Sequence, residues 1–321
     1  MMDSTGKSFD AAAYGGPGWQ ARERTHREEI GDIWAASGID NEYATLRSVL
    51  LHRPADELSA ARENPNSVQM LEPLDVAEAT AQHDAMAEAY MAAGVAVDYV
   101  EPLGSPTPNQ MFCADLFVMT PQGAILARPA STVRAGEERW VARRLADLGV
   151  PILRTLTGEA VFEGADLMWL DPETAMIGMG LRTNEEAAAQ IAMTLAEIGV
   201  ETLAVDLPFG TMHFMGMLRI VDRDLAVCWP RRTPFSTVRT LEERGYRIIW
   251  LPDADDAVLN RALNIVTLGP RKILMLAGYD GIQRVYEAAG IECLTINGSE
   301  LVKAAGSIGC LTGVVRRDLV G

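Results

Sequence analysis

Five times in this chain a helix-like segment runs into a glycine, an apolar residue and a short strand-like segment. The copies read AEAYMAAGVAVDYV, ARRLADLGVPILRT, AMTLAEIGVETLAV, VRTLEERGYRIIWL and VYEAAGIECLTI. Their glycines, Gly94, Gly149, Gly199, Gly245 and Gly290, stand 55, 50, 46 and 45 residues apart. Glycine at that place predicts a helix end capped in the left-handed region, with a strand to follow. Self-similarity at such a period means stacked or ring-closed modules, and no other feature narrows the fold as much.

Upstream of the last four helices lie two β-rich runs joined by a turn: ADLFVMTPQGAILARP, ADLMWLDPETAMIGM, LRIVDRDLAVCWP and LNIVTLGPRKILMLA. Pro121-Gln122-Gly123, Asp171-Pro172 and Asp222-Arg223-Asp224 are suited to hairpin connections. Each unit is therefore expected to read strand, turn, strand, helix, strand. The first starts at TLRSVLLHRP and departs most, with a long loop from Pro54 to Leu74. Five such units predict an α/β fold, a five-bladed pseudo-symmetric propeller whose unit starts converge on the axis. Residues 41–321 would form that single domain. Residues 1–40 would be an N-terminal arm, in which WQARERTHREEIGDIWAAS predicts a helix with Ile30, Ile33 and Trp34 on one face. The arm reads as a packing segment or an oligomer contact, so a homo-oligomer is left open.

The chain has 321 residues, 48% of them hydrophobic and 22% charged, which is a globular composition with ample core. No apolar run approaches the roughly 18 residues of a membrane helix, and the N-terminus lacks a signal-peptide pattern. Four cysteines without paired spacing suggest a reducing, cytoplasmic setting. A net charge of −16 argues against nucleic acid and is compatible with a small cationic substrate. CxxC, HExxH, EF-hand, Walker A and GxGxxG patterns are all absent, so neither a metal nor a nucleotide cofactor is expected.

Polar residues recur at comparable places ahead of the units. PNQMFCAD precedes the second, VFEGAD the third and FGTMHFMG the fourth, while AAGSIGCLTGVVRR follows the fifth. Asp115, Glu163, Asp166, His213 and Cys310 thereby share a phase, and in a ring a shared phase means proximity. A thiol, an imidazole and carboxylates together make a nucleophilic site, with cysteine as nucleophile and histidine as acid and base. Each has a duller reading alone. Asp115 and Asp166 suit hairpin starts, and a lone histidine among Met212, Phe214 and Met215 suits a core. A lone cysteine among small residues is most often buried structure. Glu163, between Phe162 and Gly164, is harder to dismiss, since a charge among apolar neighbours needs a partner. His26, His52 and His83 read as arm, strand-end and helix-surface positions. Cys228 and Cys293 read as core, and Cys113 as a pocket-lining thiol.

These residues, in this order, resemble the guanidino-group-modifying enzyme superfamily over roughly residues 44–321. That superfamily holds arginine deiminases, dimethylarginine dimethylaminohydrolases, agmatine deiminases and amidinotransferases, and its fold is the five-bladed α/β propeller. PNQMFCAD is similar to the family's Pro-Asn/Asp…Phe-x-x-Asp element, which implies a guanidinium-binding role for Asp115 and includes Asn109 among the substrate-binding residues. FEGAD is similar to the Glu-Gly-Gly-Asp element, implying that Glu163 is the second guanidinium carboxylate and setting Asp166 beside the substrate. ARPASTVRAGEE and GLRTNEEAAAQ resemble the segments whose arginines, Arg134 and Arg182 here, hold a substrate carboxylate. His213 and Cys310 match the catalytic histidine and nucleophile.

Met215 stands where deiminases and amidinotransferases carry the Asp of His-x-Asp, and Ala114 where arginine deiminases usually carry Arg. The resemblance is therefore nearest the dimethylarginine dimethylaminohydrolase type. It implies hydrolysis of arginine or an N-substituted arginine through a covalent amidino-cysteine. An amidinotransferase is the alternative. A ribosome-binding propeller protein without the nucleophile is the non-enzymatic alternative, disfavoured by Cys310 with His213. The implied partner is a small cationic guanidino compound that carries a carboxylate.

Overall fold

Fifteen strands, grouped into five three-stranded sheets, are present among the described residues, which in this computed structural model are 10–252, 254–255, 258 and 261–321. The first sheet contains β1 (Leu46–Leu51) and β2 (Ala96–Tyr99), and the second β3 (Phe117–Thr120), β4 (Gly123–Leu126) and β5 (Ile152–Thr155). The third holds β6 (Leu167–Asp171), β7 (Thr174–Met179) and β8 (Glu201–Asp206). The fourth holds β9 (Leu218–Asp222), β10 (Leu225–Cys228) and β11 (Arg247–Trp250), and the fifth β12 (Val266–Gly269), β13 (Lys272–Leu276) and β14 (Glu292–Ile296).

Each of the last four sheets is an antiparallel hairpin whose second strand crosses over through a helix to a parallel third strand. A parallel neighbour requires such a crossover, and here the repeated helices supply it. Gly94, Gly149, Gly199, Gly245 and Gly290 follow the five helices with φ between 77° and 83°. At Gly94, Gly199 and Gly245 a Cβ would meet nothing within 4 Å, so backbone conformation rather than crowding selects glycine there.

The first sheet departs from the expected module. Its missing hairpin strand is β15 (Gly313–Arg317), from the other end of the chain, which pairs antiparallel with β1 at Leu50↔Gly313. Cys310 therefore belongs to the first sheet and is not an appendage of the fifth. The loop from Pro54 to Leu74 contains two 3-10 turns, Asp56–Ala61 and Pro65–Val68.

Burial orders the strands within each sheet. The hairpin strands β3, β4, β10 and β12 are buried at every residue, whereas the third strands β2, β5 and β14 contain no buried residue. The third strands are the outer edges, and the first strand of each hairpin lies inside. Four apolar clusters link the sheets in sequence. Leu50, Phe117 and Trp169 join the first three sheets, and Met168 and Leu218 join the third to the fourth. Val221 and Ile273 join the fourth to the fifth, and Leu274 with Leu46 joins the fifth back to the first.

The arm departs from expectation. Within the segment expected to be helical, Trp19–Ser37, only His26–Glu29 is, started by a Thr25 capping box and stopped by Gly31 at φ 90°, and Ile33 is 62% exposed. His26 Nε2 meets Gln122 O at 2.9 Å and Arg27 donates to Gly321 O, so the arm lies over both the second sheet and the chain end. His83, expected on a helix surface, is fully buried beside Tyr99. It lies on the inward stripe Ala79, His83, Met86, Ala87 and Tyr90 of helix Val76–Ala92. Among the described residues no helix is long and apolar enough to cross a membrane.

Candidate active site

Every inner strand is preceded by a polar residue, and these residues are brought together. Cys113–Asp115 forms a short turn ahead of β3, Gly164–Asp166 one ahead of β6, and Phe214–Gly216 one ahead of β9. The helical turn Ile308–Leu311, carrying Cys310, precedes β15. Asn264 occupies the equivalent place two residues ahead of β12 and was not anticipated from the sequence. The usable signal was the repeat phase itself.

A cavity with two lobes runs between these turns. The wider, about 190 Å³, is lined by His213, Met215, Arg219, Trp229, Asn264 and Cys310. The narrower, about 20 Å³, is lined by Asn109, Asp115, Arg134, Arg182, His213 and Cys310. His213 and Cys310 thus stand at the junction of the lobes.

The narrow lobe is small because arginine fills much of its base. Arg134 Nη1 donates to Asp115 Oδ2 at 2.7 Å and to Glu163 Oε2 at 3.2 Å, and its Nε donates to Glu137 Oε2 at 2.9 Å. Arg182 Nη1 donates to Glu163 Oε1 at 3.0 Å. Both arginines expected to hold a substrate carboxylate are therefore engaged by acids in this state. Glu137, also missed in the sequence, is 1% exposed; burial pushes its carboxyl up to about 7 even beside Arg134. Asp115 Oδ1 is buried without a hydrogen-bond partner, 3.9 Å from His213 Nε2. An unpaired carboxylate oxygen in such a place costs on the order of 1–3 kcal/mol unless a donor arrives.

His213 Nε2 lies 2.7 Å from Glu163 Oε2. Burial alone would lower the imidazole, but Asp115, the Glu163 bond and Asp166 raise it to about 9. Burial likewise would raise Glu163, yet His213, Arg134 and Arg182 outweigh it and hold the carboxyl low. At neutral pH His213 is an imidazolium on a carboxylate. The Cys310 thiol is pushed up by burial and then by Asp115, against the Ser307 N–H, Asn264 and Arg219. Asn264 Nδ2 donates to Cys310 Sγ at 3.1 Å, while its Oδ1 accepts from Gly309 N at 2.7 Å and Cys310 N at 3.3 Å. One amide thus fixes both the turn and the sulfur.

Two expected substrate contacts are otherwise employed. Asp166 accepts from the Thr183 hydroxyl at 2.6 Å and from Phe214 N at 2.8 Å, is fully buried, and lines neither lobe. It supports the turn after His213. Asn109 lines the narrow lobe but donates its amide to Val68 O at 2.8 Å, tying in the loop that carries Gln69.

Asp115, Glu163 and His213 each bring a ligand-type atom within 4.8 Å of the others. Arg134 Nη1 already bridges both carboxylates, and arginine stays charged at any ordinary pH. A divalent metal held by all three would have to displace that cation.

The chain is similar to known proteins in sequence and in fold. Residues 58–316 match the family described as N,N dimethylarginine dimethylhydrolase, eukaryotic. The dimethylarginine dimethylaminohydrolase of Mycobacterium tuberculosis is 30% identical over 75% of this chain and 76% of that protein. The arginine deiminase of Rhodococcus jostii is 22% identical over 88% and 98%. Among solved structures, a Pseudomonas aeruginosa dimethylarginine dimethylaminohydrolase mutant complexed with citrulline matches with a TM-score of 0.71 and 20% identity, over 85% of this chain and all of that one. An amidinotransferase of the Microseira wollei saxitoxin pathway has the same TM-score at 15% identity, over 88% and 98%. Fold and relatives together define a member of the guanidino-group-modifying superfamily. Within it, the chain belongs to the dimethylarginine dimethylaminohydrolase family.

Proposed function

We propose that this chain is a cysteine-dependent hydrolase of the guanidino group of arginine or an N-substituted arginine, giving citrulline or a related ureido product and an amine or ammonia. In this reading the five sheets close into a five-bladed propeller, supported by the apolar clusters that link each sheet to the next and the fifth to the first. The observation that carries the reading is Asp115 Oδ1, a buried and unpartnered carboxylate oxygen beside His213 and Cys310. A planar guanidinium donates N–H groups in a fork that suits such an acceptor.

The entering cation pairs with Asp115, which otherwise holds the Cys310 thiol up, and so favours the thiolate that reacts. The thiol proton leaves to solvent through the wider lobe, since His213 already carries its own, and the thiolate attacks the guanidinium carbon to form a C–S bond. The His213 imidazolium, kept charged by Glu163, gives its proton to the departing nitrogen. The C–N bond to the departing amine breaks, and an amidino-cysteine that still carries the amino-acid chain on its other nitrogen remains. Neutral His213 then takes a proton from water, the hydroxide adds to the same carbon, and the C–S bond breaks to release the ureido product and Cys310. Holding the guanidinium with the face of its carbon toward Cys310 Sγ supplies the proximity contribution. Incubation with arginine and its methylated derivatives, with assay of ureido product, tests the reading; turnover of none of them would overturn it.

A second reading, amidino transfer, has one observation in its favour. The wider lobe continues past Cys310 to Met215 and Trp229, leaving room for an acceptor amine in place of water. Product that forms only when glycine, lysine or another amine is added would select it.

A further inference from the structure

Cys310 needs a cation to react as thiolate, and the cations of the narrow lobe are already matched. Arg134 bonds Asp115, Glu137 and Glu163, Arg182 bonds Glu163, and His213 bonds Glu163 while facing Asp115. Arg219, on β9, lies in the wider lobe and not in the narrow one. It is 9% exposed and lines the wider lobe with Cys310. Its Nε donates to Leu263 O at 2.8 Å, which fixes the head group, and it makes no ion pair within 4.0 Å among the described residues. Glu42 acts on it from beyond ion-pair distance, and burying an arginine with no carboxylate in contact is costly, so its retention at this place needs a reason.

The packing supplies one. A Cβ built on Gly309 would come 2.4 Å from Arg219 Nη2 and 3.0 Å from Asn264 Oδ1. The guanidinium therefore lies directly against the residue preceding Cys310, and only glycine lets it approach. Leu263 anchors Arg219 while the next residue, Asn264, holds Cys310 Sγ, so one short segment sets both positions. The charged and titratable groups that line the lobes with Cys310 are Asp115, Arg134, Arg182 and His213 in the narrow lobe and His213, Arg219 and Arg232 in the wider one; of these Asp115 and Arg219 act most on the sulfur, together with the Asn264 amide and the Ser307 N–H. Those facing Arg219 are Cys310, Glu42, Tyr90 and Tyr286, with Cys310 the strongest influence after burial.

We propose that Arg219 is the counter-ion of the Cys310 thiolate, a positioning residue that acts through the sulfur from the wider lobe. This rests on the nucleophile assignment to Cys310: Arg219 offsets part of the rise that burial and Asp115 impose on the thiol, which leaves less for the entering cation to supply. Arginine suits the place because its charge is permanent and its flat head group packs against backbone.

The pH dependence of Cys310 alkylation by iodoacetamide, read by mass on the peptide that contains it, tests this in the full chain. In R219M, which replaces the cation with an apolar chain of similar length, the midpoint of the rate profile is expected to move up by about one pH unit or more, with circular dichroism unchanged. R219K keeps a charge and is expected to fall between R219M and wild type. If R219M does not fold, R219Q against R219K carries the same comparison. Equal midpoints in folded variants with and without the charge overturn the proposal. Alkylation of wild-type Cys310 without loss of guanidine turnover would instead remove the nucleophile assignment, an outcome separate from the comparison of midpoints.

Discussion

Glu163→Gln removes one buried charge with little change of shape, and His213 reports the consequence. The imidazole sits at about 9 instead of 6.5. At ~1.36 kcal/mol per unit, its surroundings favour the charged form by roughly 3 kcal/mol. Burial opposes that preference; Asp115, the 2.7 Å bond to Glu163 and Asp166 create it. Glu163 contributes both a hydrogen bond and a charge, so E163Q is expected to lower His213 by at least about one unit, or ~1.4 kcal/mol. A folded-state value above the unfolded one contributes stability that is complete below about pH 6.5 and is lost as pH rises through about 9. The His213 part of the E163Q stability deficit should accordingly be present at neutral pH and vanish above 9. The assay is an NMR titration of the imidazoles in the full chain, with His213 assigned from a His213 variant. Neutral-pH turnover of a guanidine should fall about tenfold or more in parallel, since a positioned acid–base group is worth ~10²–10⁴ in rate. A wild-type His213 that titrates near 6.5, or one unmoved by E163Q, would refute the reasoning.

Cys310→Ala is expected to abolish turnover and keep the fold, checked by product assay with circular dichroism; an active alanine variant would remove the nucleophile assignment. Gly309→Ala drives a methyl into Arg219, Asn264 Oδ1 and the Ile265 carbonyl, and should cost ~1–3 kcal/mol in urea unfolding as well as activity. His83 is held neutral down to about pH 4 by burial. Because the unfolded chain takes up that proton near 6.5, stability should fall by roughly 3 kcal/mol between pH 6.5 and 4 on this account. His83→Met should remove that part of the slope; identical slopes in the two proteins would contradict it. Arg134→Met leaves Asp115, Glu137 and Glu163 facing one another and should destabilise by about 3–5 kcal/mol, seen as a lower urea midpoint.

The modules were legible because their signals are local. Each of the five glycines is the residue its helix cap demands, and the turns at Gln122, Pro172 and Arg223 lie between antiparallel partners. The origin of the first sheet was not legible, because pairing β1 with β15 joins opposite ends of the chain and leaves no local trace. The site followed the repeat phase where a residue type suggested chemistry, as with Asp115, Glu163, His213 and Cys310. Asn264 shares that phase, but an asparagine ahead of a strand is common and drew no attention. Glu137 and Arg219 were hidden for a different reason. Glu137 lies beside the helix start that follows Arg134, and Arg219 lies within a strand, where its neighbours Leu218 and Ile220 read as core. The use of Arg134 and Arg182 was the least legible. Which carboxylate an arginine meets depends on side-chain paths between sheets, and spacing along the chain does not encode them.

The central claim is that Cys310 takes the amidino group onto its sulfur. Rapid acid quench of the full chain with a guanidine substrate, followed by mass analysis of the Cys310 peptide, tests it most directly. A mass increase equal to the substrate less its departing amine or ammonia, confined to Cys310 and absent from Cys113, Cys228 and Cys293, is the predicted result; a gain of the bare amidino group would instead select amidino transfer. Rapid turnover with Cys310 unmodified at every quench time, and retained in Cys310→Ala, would contradict it.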